Sequence, residues 1–201
     1  MTDKQKKKKA KKEVIITGFG GQGIIMAGRI IGMSAALGDH MHSVFTQSYG
    51  PESRGGACSA QVIISDAQIH YPYVMRPDIL ICMSQGGYDK FISEIKQEGI
   101  LLIERDLVRP GALKRNFFSI PATRMAEDLG RKMMANIIMV GFCVSVTKVI
   151  SKDAALDSVA KSVPKGTEEV NIRAFNKGYD YGLAILKGRG KKAAGQTGVT
   201  G

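Results

Sequence analysis

Residues 18–23 read Gly-Phe-Gly-Gly-Gln-Gly. Gly18, Gly20 and Gly23 fit the spacing G-x-G-x-x-G, and Gly21 and Gln22 complete the turn. Such a turn either binds an anion or simply connects a strand to a helix, and its flanks here favour the anion. Glycines let backbone N–H groups approach a phosphate closely, and the N-terminus of a following helix adds partial positive charge. Used for a dinucleotide, the motif also needs an Asp or Glu at the end of the second strand, to hold the ribose hydroxyls. Here that strand ends in Gln47 and Ser48, and Asp39 lies before it. The pattern therefore disfavours NAD. No Lys-Ser or Lys-Thr pair follows the glycines, so the turn is not a P-loop.

A second constellation runs Gln47-Ser48-Tyr49-Gly50-Pro51-Glu52-Ser53-Arg54-Gly55-Gly56. It gathers a hydroxyl, a phenol, a carboxylate and a guanidinium in one glycine-rich loop. Arg54 offers a planar fork suited to phosphate or carboxylate, and Glu52 either orients it or meets a partner; the alternative is a structured turn with a Glu52–Arg54 surface pair. Gly55 lets the backbone approach a ligand closely. In a parallel sheet this loop and the first turn leave the carboxyl ends of their strands and face one crevice. Asn136 is a third candidate, because a lone amide in an apolar helix must find hydrogen bonds. Its roles are a bond to a loop backbone or a ligand contact. Glu104 and Asp106 end a strand, yet nothing pairs them with a nucleophile. No Ser/His/Asp or Cys/His set is present, so the chain offers no catalytic residue of its own. Cys58, Cys82 and Cys143 are far apart and read as buried free thiols, which argues against a metal site. The His40 and His42 pair lacks further ligands.

The elements that must position these residues alternate between strand and helix. Val14-Ile15-Ile16-Thr17 is strand-like, and a helix is predicted from about Gln22 to Leu37. Strands are predicted at His42 to Ser48, Cys58 to Ser65, Ile79 to Met83, Ile100 to Glu104 and Asn116 to Ile120. The all-apolar run at Ile79 is what a strand covered on both faces requires. Helices are predicted at Tyr88 to Gln97, from Pro121 to Gly130, at Met133 to Val146, after Ser151, and from about Thr167. The fold class is α/β: a Rossmann-like open, mostly parallel sheet with helices on both faces and a helical C-terminal part.

The chain has 201 residues, 44% of them hydrophobic, which suits one domain with a sizeable core. No run of 18 apolar residues and no signal-type start occurs, so a soluble, cytoplasmic protein is expected. The net charge of +11 gathers at the ends. Seven lysines lie in residues 1–13, and Lys187, Arg189, Lys191 and Lys192 lie near the other end. The expected organisation is a Lys-rich disordered tail over 1–12, one domain over 13–187, and a flexible tail over 188–201. Nucleic-acid binding through the tails is a weaker reading, and membrane binding is not expected.

The glycine turn and the Tyr49–Gly56 loop together resemble the gamma subunit of 2-oxoacid:ferredoxin oxidoreductases. Tyr71-Pro72 with Pro77-Asp78, Asn136 in its apolar helix, and Glu169-Val170-Asn171 with Ala174-Phe175 extend the likeness over roughly residues 13–186. The loop wording is most similar to the 2-oxoglutarate branch. The resemblance implies a multi-subunit enzyme that decarboxylates a 2-oxoacid oxidatively to an acyl-CoA and passes the electrons to ferredoxin. It implies thiamine diphosphate and iron–sulfur clusters on partner alpha and beta subunits, with a ferredoxin-like delta subunit as a further partner. For this chain it implies coenzyme A binding and active-site closure, through Gly18, Gly20, Gly21, Gln22, Gly23, Ser48, Tyr49, Glu52, Arg54, Gly55 and Asn136. The alternative is a stand-alone Rossmann-type NAD(P) oxidoreductase.

Overall fold

A computed structural model describes residues 11–49, 57–111 and 117–196. Six strands form a single sheet. They are β1 (Lys11–Phe19), β2 (His42–Tyr49), β3 (Ala57–Ser65), β4 (Ile79–Cys82), β5 (Ile100–Glu104) and β6 (Phe117–Ile120). Their spatial order is β2-β3-β1-β4-β5-β6. β1, β4, β5 and β6 run parallel, as their apolar sequences demand. β3 is antiparallel to both β1 and β2. The sheet is therefore mostly parallel, as expected, but β2 does not lie beside β1. β3 lies between them, hydrogen-bonded to both.

The strands split their side chains between two cores because successive residues face opposite ways. Val14 and Ile16 of β1, with Val62, Ile64, Ile81 and Leu102, face the larger core. Ile15, Ile63, Leu80 and Leu101 face the smaller one. The larger core is covered by α1 (Ile24–Met33), α3 (Ala122–Asp128), α4 (Ala135–Thr147), α5 (Lys152–Ser162) and α6 (Glu168–Gln196). The smaller is covered by α2 (Gln85–Phe91) and the chain segment 66–78, which inserts Ile69 and Val74. Helices do lie on both faces, but very unequally.

α4 is buried from Ala135 to Ser145, so its apolar sequence has no polar side to show. It meets α6 through glycines. A Cβ on Gly141 would collide with the Phe175 carbonyl oxygen, and one on Gly178 with the Ile138 carbonyl oxygen. Ser84 Oγ accepts from Gly87 N–H at 3.1 Å and Ser151 Oγ from Ala154 N–H at 3.3 Å, so both serines cap helices.

Several bounds differ from the sequence expectation. β1 begins at Lys11, where Lys11 and Lys12 pair with Ser65 and Ile64, so these two residues belong to the sheet. α2 starts at Gln85 because Ser84 caps it there. α1 gives way to a π-helical stretch over Ser34–Gly38. α6 continues to Gln196, past the expected boundary at 187, because its Lys- and Ala-rich end retains helix propensity.

Candidate functional site

The first turn lies at the carboxyl edge of β1. Gly21 has φ 91° and Gly23 has φ 71°, backbone conformations that favour glycine. Gly18 has a different reason to be glycine. A Cβ there would meet Ile24 Cδ1 at 2.6 Å and also collide with Gln22 Oε1. Gln22 itself is a brace. Its Oε1 accepts from Phe19 N–H at 2.7 Å, and its Nε2 donates to the Met83 carbonyl at 2.9 Å. Both ends of its amide are used, so it ties the turn to the end of β4 while also lining the cavity beside the turn. Gly20 and Gly21 have open space where a Cβ would stand.

Asn136 meets the same turn from α4. Its Nδ2 donates to the Gly23 carbonyl at 3.1 Å, and its Oδ1 accepts from Ile137 N–H at 2.9 Å. A side chain at Gly23 would collide with this amide. The backbone-bonding role of Asn136 is the one observed. No side chain caps the start of α1, so its first-turn N–H groups remain available to an acceptor.

An apolar slot of about 440 Å³ opens beside the turn, between Gly21, Gly23, Met26, Met134, Val163 and Pro164. Asn136, Arg131 and Lys132 also line it. A second cavity of about 370 Å³ shares Gly21, Lys132 and Met133 with the slot, and reaches Phe19 and Leu107. A third, of about 380 Å³, shares Leu107 and Thr123 with the second and holds Arg105, Arg109 and Arg124. The three form a trough along the carboxyl edge of the sheet, where open α/β folds bind ligands. Met133, 81% exposed, stands as a ridge between the first two. Arg124 pairs with Asp106 at 2.8 Å and Lys132 with Glu127 at 3.5 Å. Arg131 makes no ion pair among the described residues. One end of the trough is thus apolar with a basic rim, and the other is rich in guanidinium groups.

Glu104 is fully buried and serves as an anchor. Its Oε2 accepts from Asp106 N–H at 2.8 Å and Leu107 N–H at 2.7 Å, and its Oε1 from Thr123 N–H at 3.3 Å. Burial pushes its pKa up, against those three hydrogen bonds. Burial also raises the thiols, that of Cys143 to about 12. Among the described residues no three His, Cys, Asp or Glu side chains are grouped to hold a metal ion.

Of the second constellation only its first residues, Gln47, Ser48 and Tyr49, are described. Ser48 and the exposed Tyr49 end β2 at the same edge as the turn. Tyr49 and Gly18 both pair with Cys58, one on each side of β3. They are two strand spacings apart, roughly 10 Å. Glu52, Arg54 and Gly55 lie outside the described residues. The strand order also bears on the dinucleotide alternative. With β3 between β1 and β2, the end of β2 is not the neighbour of the turn that a ribose-binding carboxylate requires. Sequence reading assigned none of Arg131, Lys132 and Met133 to the site, and it placed Met133 at the start of the buried helix, which begins instead at Ala135. Their signal was present as a basic pair and exposed methionine just before an apolar helix, but a three-residue 3-10 turn has no periodicity to betray it.

These features describe an α/β domain with a trough along the carboxyl edge of its sheet. Residues 13–181 match the pyruvate ferredoxin/flavodoxin oxidoreductase family, and the chain belongs to that family. It is 47% identical over 176 residues to the 2-oxoglutarate synthase subunit KorC of Methanocaldococcus jannaschii, covering 86% of this chain and 94% of that protein. It is similar to the solved keto/oxoacid ferredoxin oxidoreductase gamma subunit from Geobacter sulfurreducens. That match has a TM-score of 0.74 and 37% identity, over 86% of this chain and 99% of the other. The same fold recurs in the 2-oxoglutarate:ferredoxin oxidoreductase from Magnetococcus marinus, solved with 2-oxoglutarate, coenzyme A and succinyl-CoA bound. There the TM-score is 0.74 at 18% identity, over 87% of this chain but only 31% of the other. The gamma-type subunit expected from the sequence is the class these likenesses define.

Proposed function

We propose that this chain is the gamma subunit of a 2-oxoglutarate:ferredoxin oxidoreductase, and that its carboxyl edge binds coenzyme A and closes the active site. The complex decarboxylates 2-oxoglutarate oxidatively to succinyl-CoA and hands the electrons to ferredoxin. Alpha and beta subunits carry the thiamine diphosphate and iron–sulfur clusters, with a ferredoxin-like delta subunit where one is present. The complex works in the cytoplasm, where thiols such as Cys58, Cys82 and Cys143 stay reduced.

One observation carries the coenzyme A reading: an uncapped helix start beside an apolar slot with a basic rim. Coenzyme A has the complementary parts. Its diphosphate suits the N–H groups of the turn and the Arg131 guanidinium. Its pantetheine arm suits the walls made by Met26, Met134 and Val163. Gly20 and Gly21 leave the room that a phosphate needs. Arg54 and Glu52, which follow Tyr49 in the sequence, supply further polar contacts to the ligand.

Isothermal titration of the assembled complex with coenzyme A tests this. Arg131→Ala and Arg54→Ala each remove a charge-assisted bond worth about 1.5–3 kcal/mol, so affinity falls roughly tenfold or more. Equal affinity in both variants overturns the assignment. The substrate branch is tested separately, by comparing 2-oxoglutarate with pyruvate and branched 2-oxoacids as electron donors to ferredoxin.

A further inference from the structure

The Tyr71-Pro72 pair has no part in the ligand edge. It belongs to the segment 66–78, which leaves β3 at the opposite, amino-terminal edge and runs over the smaller core. Val74 anchors it. Its side chain enters that core, and its N–H donates to Gln61 Oε1 at 3.0 Å, in the middle of β3. Anchoring Val74 inward turns its neighbours outward. Tyr73 is 55% and Met75 66% exposed, and Tyr71 is 55% exposed. The two tyrosine rings brace each other edge to face, with centroids 5.7 Å apart. Pro72 between them fixes its own φ.

This shelf adjoins an open strand. Gln61 pairs with Thr46 of β2, so Val74 sits one strand from the sheet edge. β2 is paired on one side only. Its eight residues carry no Pro, Lys, Arg, Asp or Glu, and its register with β3 is unbroken. Those are the devices by which edge strands avoid pairing. The far edge is treated differently. β6 has four residues, and Arg189 from α6 reaches over it, donating to the Phe117 carbonyl and stacking its guanidinium 3.9 Å from the Phe118 ring.

We propose that the Tyr71–Tyr73–Met75 shelf, continuous with the open edge of β2, is the surface on which another subunit of the same oxidoreductase seats. Tyr, Met and Arg are the residues enriched in the cores of such interfaces, and a pre-ordered aromatic display loses little entropy on binding. Arg76 and His70 form a rim with no ion pair among the described residues, so the partner presents an apolar strip edged by carboxylate. In the Magnetococcus marinus enzyme the matching fold is under a third of one chain, so there it has covalent neighbours to pack against. The relatives that this chain matches along nearly their whole length are named as single subunits, which points to a neighbour on a separate chain.

The test uses the complex purified through a tag on a partner subunit. Tyr71→Glu/Tyr73→Glu and, separately, Met75→Glu lower recovery of this chain at least tenfold. Leu37→Glu, an equally exposed apolar position on the other face, leaves recovery unchanged. Circular dichroism of each isolated variant shows the wild-type melting curve. In the wild-type complex, amide hydrogen exchange over residues 69–76 and 42–49 slows relative to the isolated chain. Full recovery of the shelf variants, or unchanged exchange at both segments, overturns the proposal. So does sedimentation showing that the isolated chain is a dimer that Tyr73→Glu dissociates, because the shelf would then seat a second copy. This proposal is independent of coenzyme A: the shelf variants leave coenzyme A affinity in whatever complex remains unchanged.

Discussion

At the scale of single residues, two side chains that look functional in the sequence prove to be supports. Gln22 stands inside the glycine motif but spends its amide on Phe19 and Met83. Gln22→Ala removes two hydrogen bonds. It costs about 1–3 kcal/mol, read as a melting point lower by several degrees for a chain of this size. Glu104 is the second. Three backbone N–H groups depend on its carboxylate, and an amide offers only one oxygen to accept them. Glu104→Gln therefore destabilises the protein by about 1–3 kcal/mol at neutral pH. The pH dependence has a definite sign. The folded pKa is raised above the ordinary 4.5, so the folded state binds the extra proton in the window between. Wild type gains stability from this group as pH falls through that window, and the Gln variant does not. Denaturant titrations at pH 7 and pH 5 show the gap between the two proteins widening at pH 5; a gap that narrows contradicts this reading.

At the scale of elements, the glycines of α4 and α6 matter more than those of the phosphate turn for holding the molecule together. They set how closely the two helices approach, and α4 in turn carries Asn136 to Gly23. Gly178→Ala drives a methyl into the Ile138 carbonyl, where backbone cannot step aside cheaply. The expected cost is about 2–4 kcal/mol, more than any gain in helix propensity returns. Thermal unfolding checks it, and an unchanged or higher melting point would show that the helices separate freely. Gly20→Ala, by contrast, meets open space and leaves stability within about 0.5 kcal/mol. The helix pattern itself was plain in the sequence. The buried run of α4 and the Ser151 cap of α5 follow from residue type alone, whereas the Ser84 cap starts α2 three residues before the expected Tyr88. The α4–α6 contact was not legible, because glycine in a helix reads locally as a weak point and only the partner helix makes it a requirement.

At the scale of the whole molecule, the described residues present a trough at one edge of the sheet and an exposed aromatic shelf, in a chain that belongs to a family of multi-subunit oxidoreductases. The purified chain alone accordingly gives no 2-oxoglutarate-dependent reduction of ferredoxin, and adding the partner subunits restores it. Turnover by the isolated chain would refute the division of labour. The two surfaces lie at opposite ends of the strands. The trough follows the carboxyl edge of β1, β4 and β5, whereas the segment 66–78 starts from the amino edge. On the two proposals above, one end takes a ligand while the other meets a partner.

The sequence by itself determined the strands, most of the helices, the glycine turn and the family. These are local or nearest-neighbour properties: apolar periodicity, φ preferences and short motifs written in consecutive residues. It also separated the turn from NAD, through the missing carboxylate. Only the tertiary structure decided the strand order, since β3 could enter beside β1 only through hydrogen bonds between residues some 40 positions apart. That order sets Tyr49 and Gly18 on either side of Cys58. The trough was likewise a tertiary matter. Arg131, Lys132 and Met133 face Gly21 across more than 100 positions, and their meeting depends on α4 being pinned to the turn by Asn136.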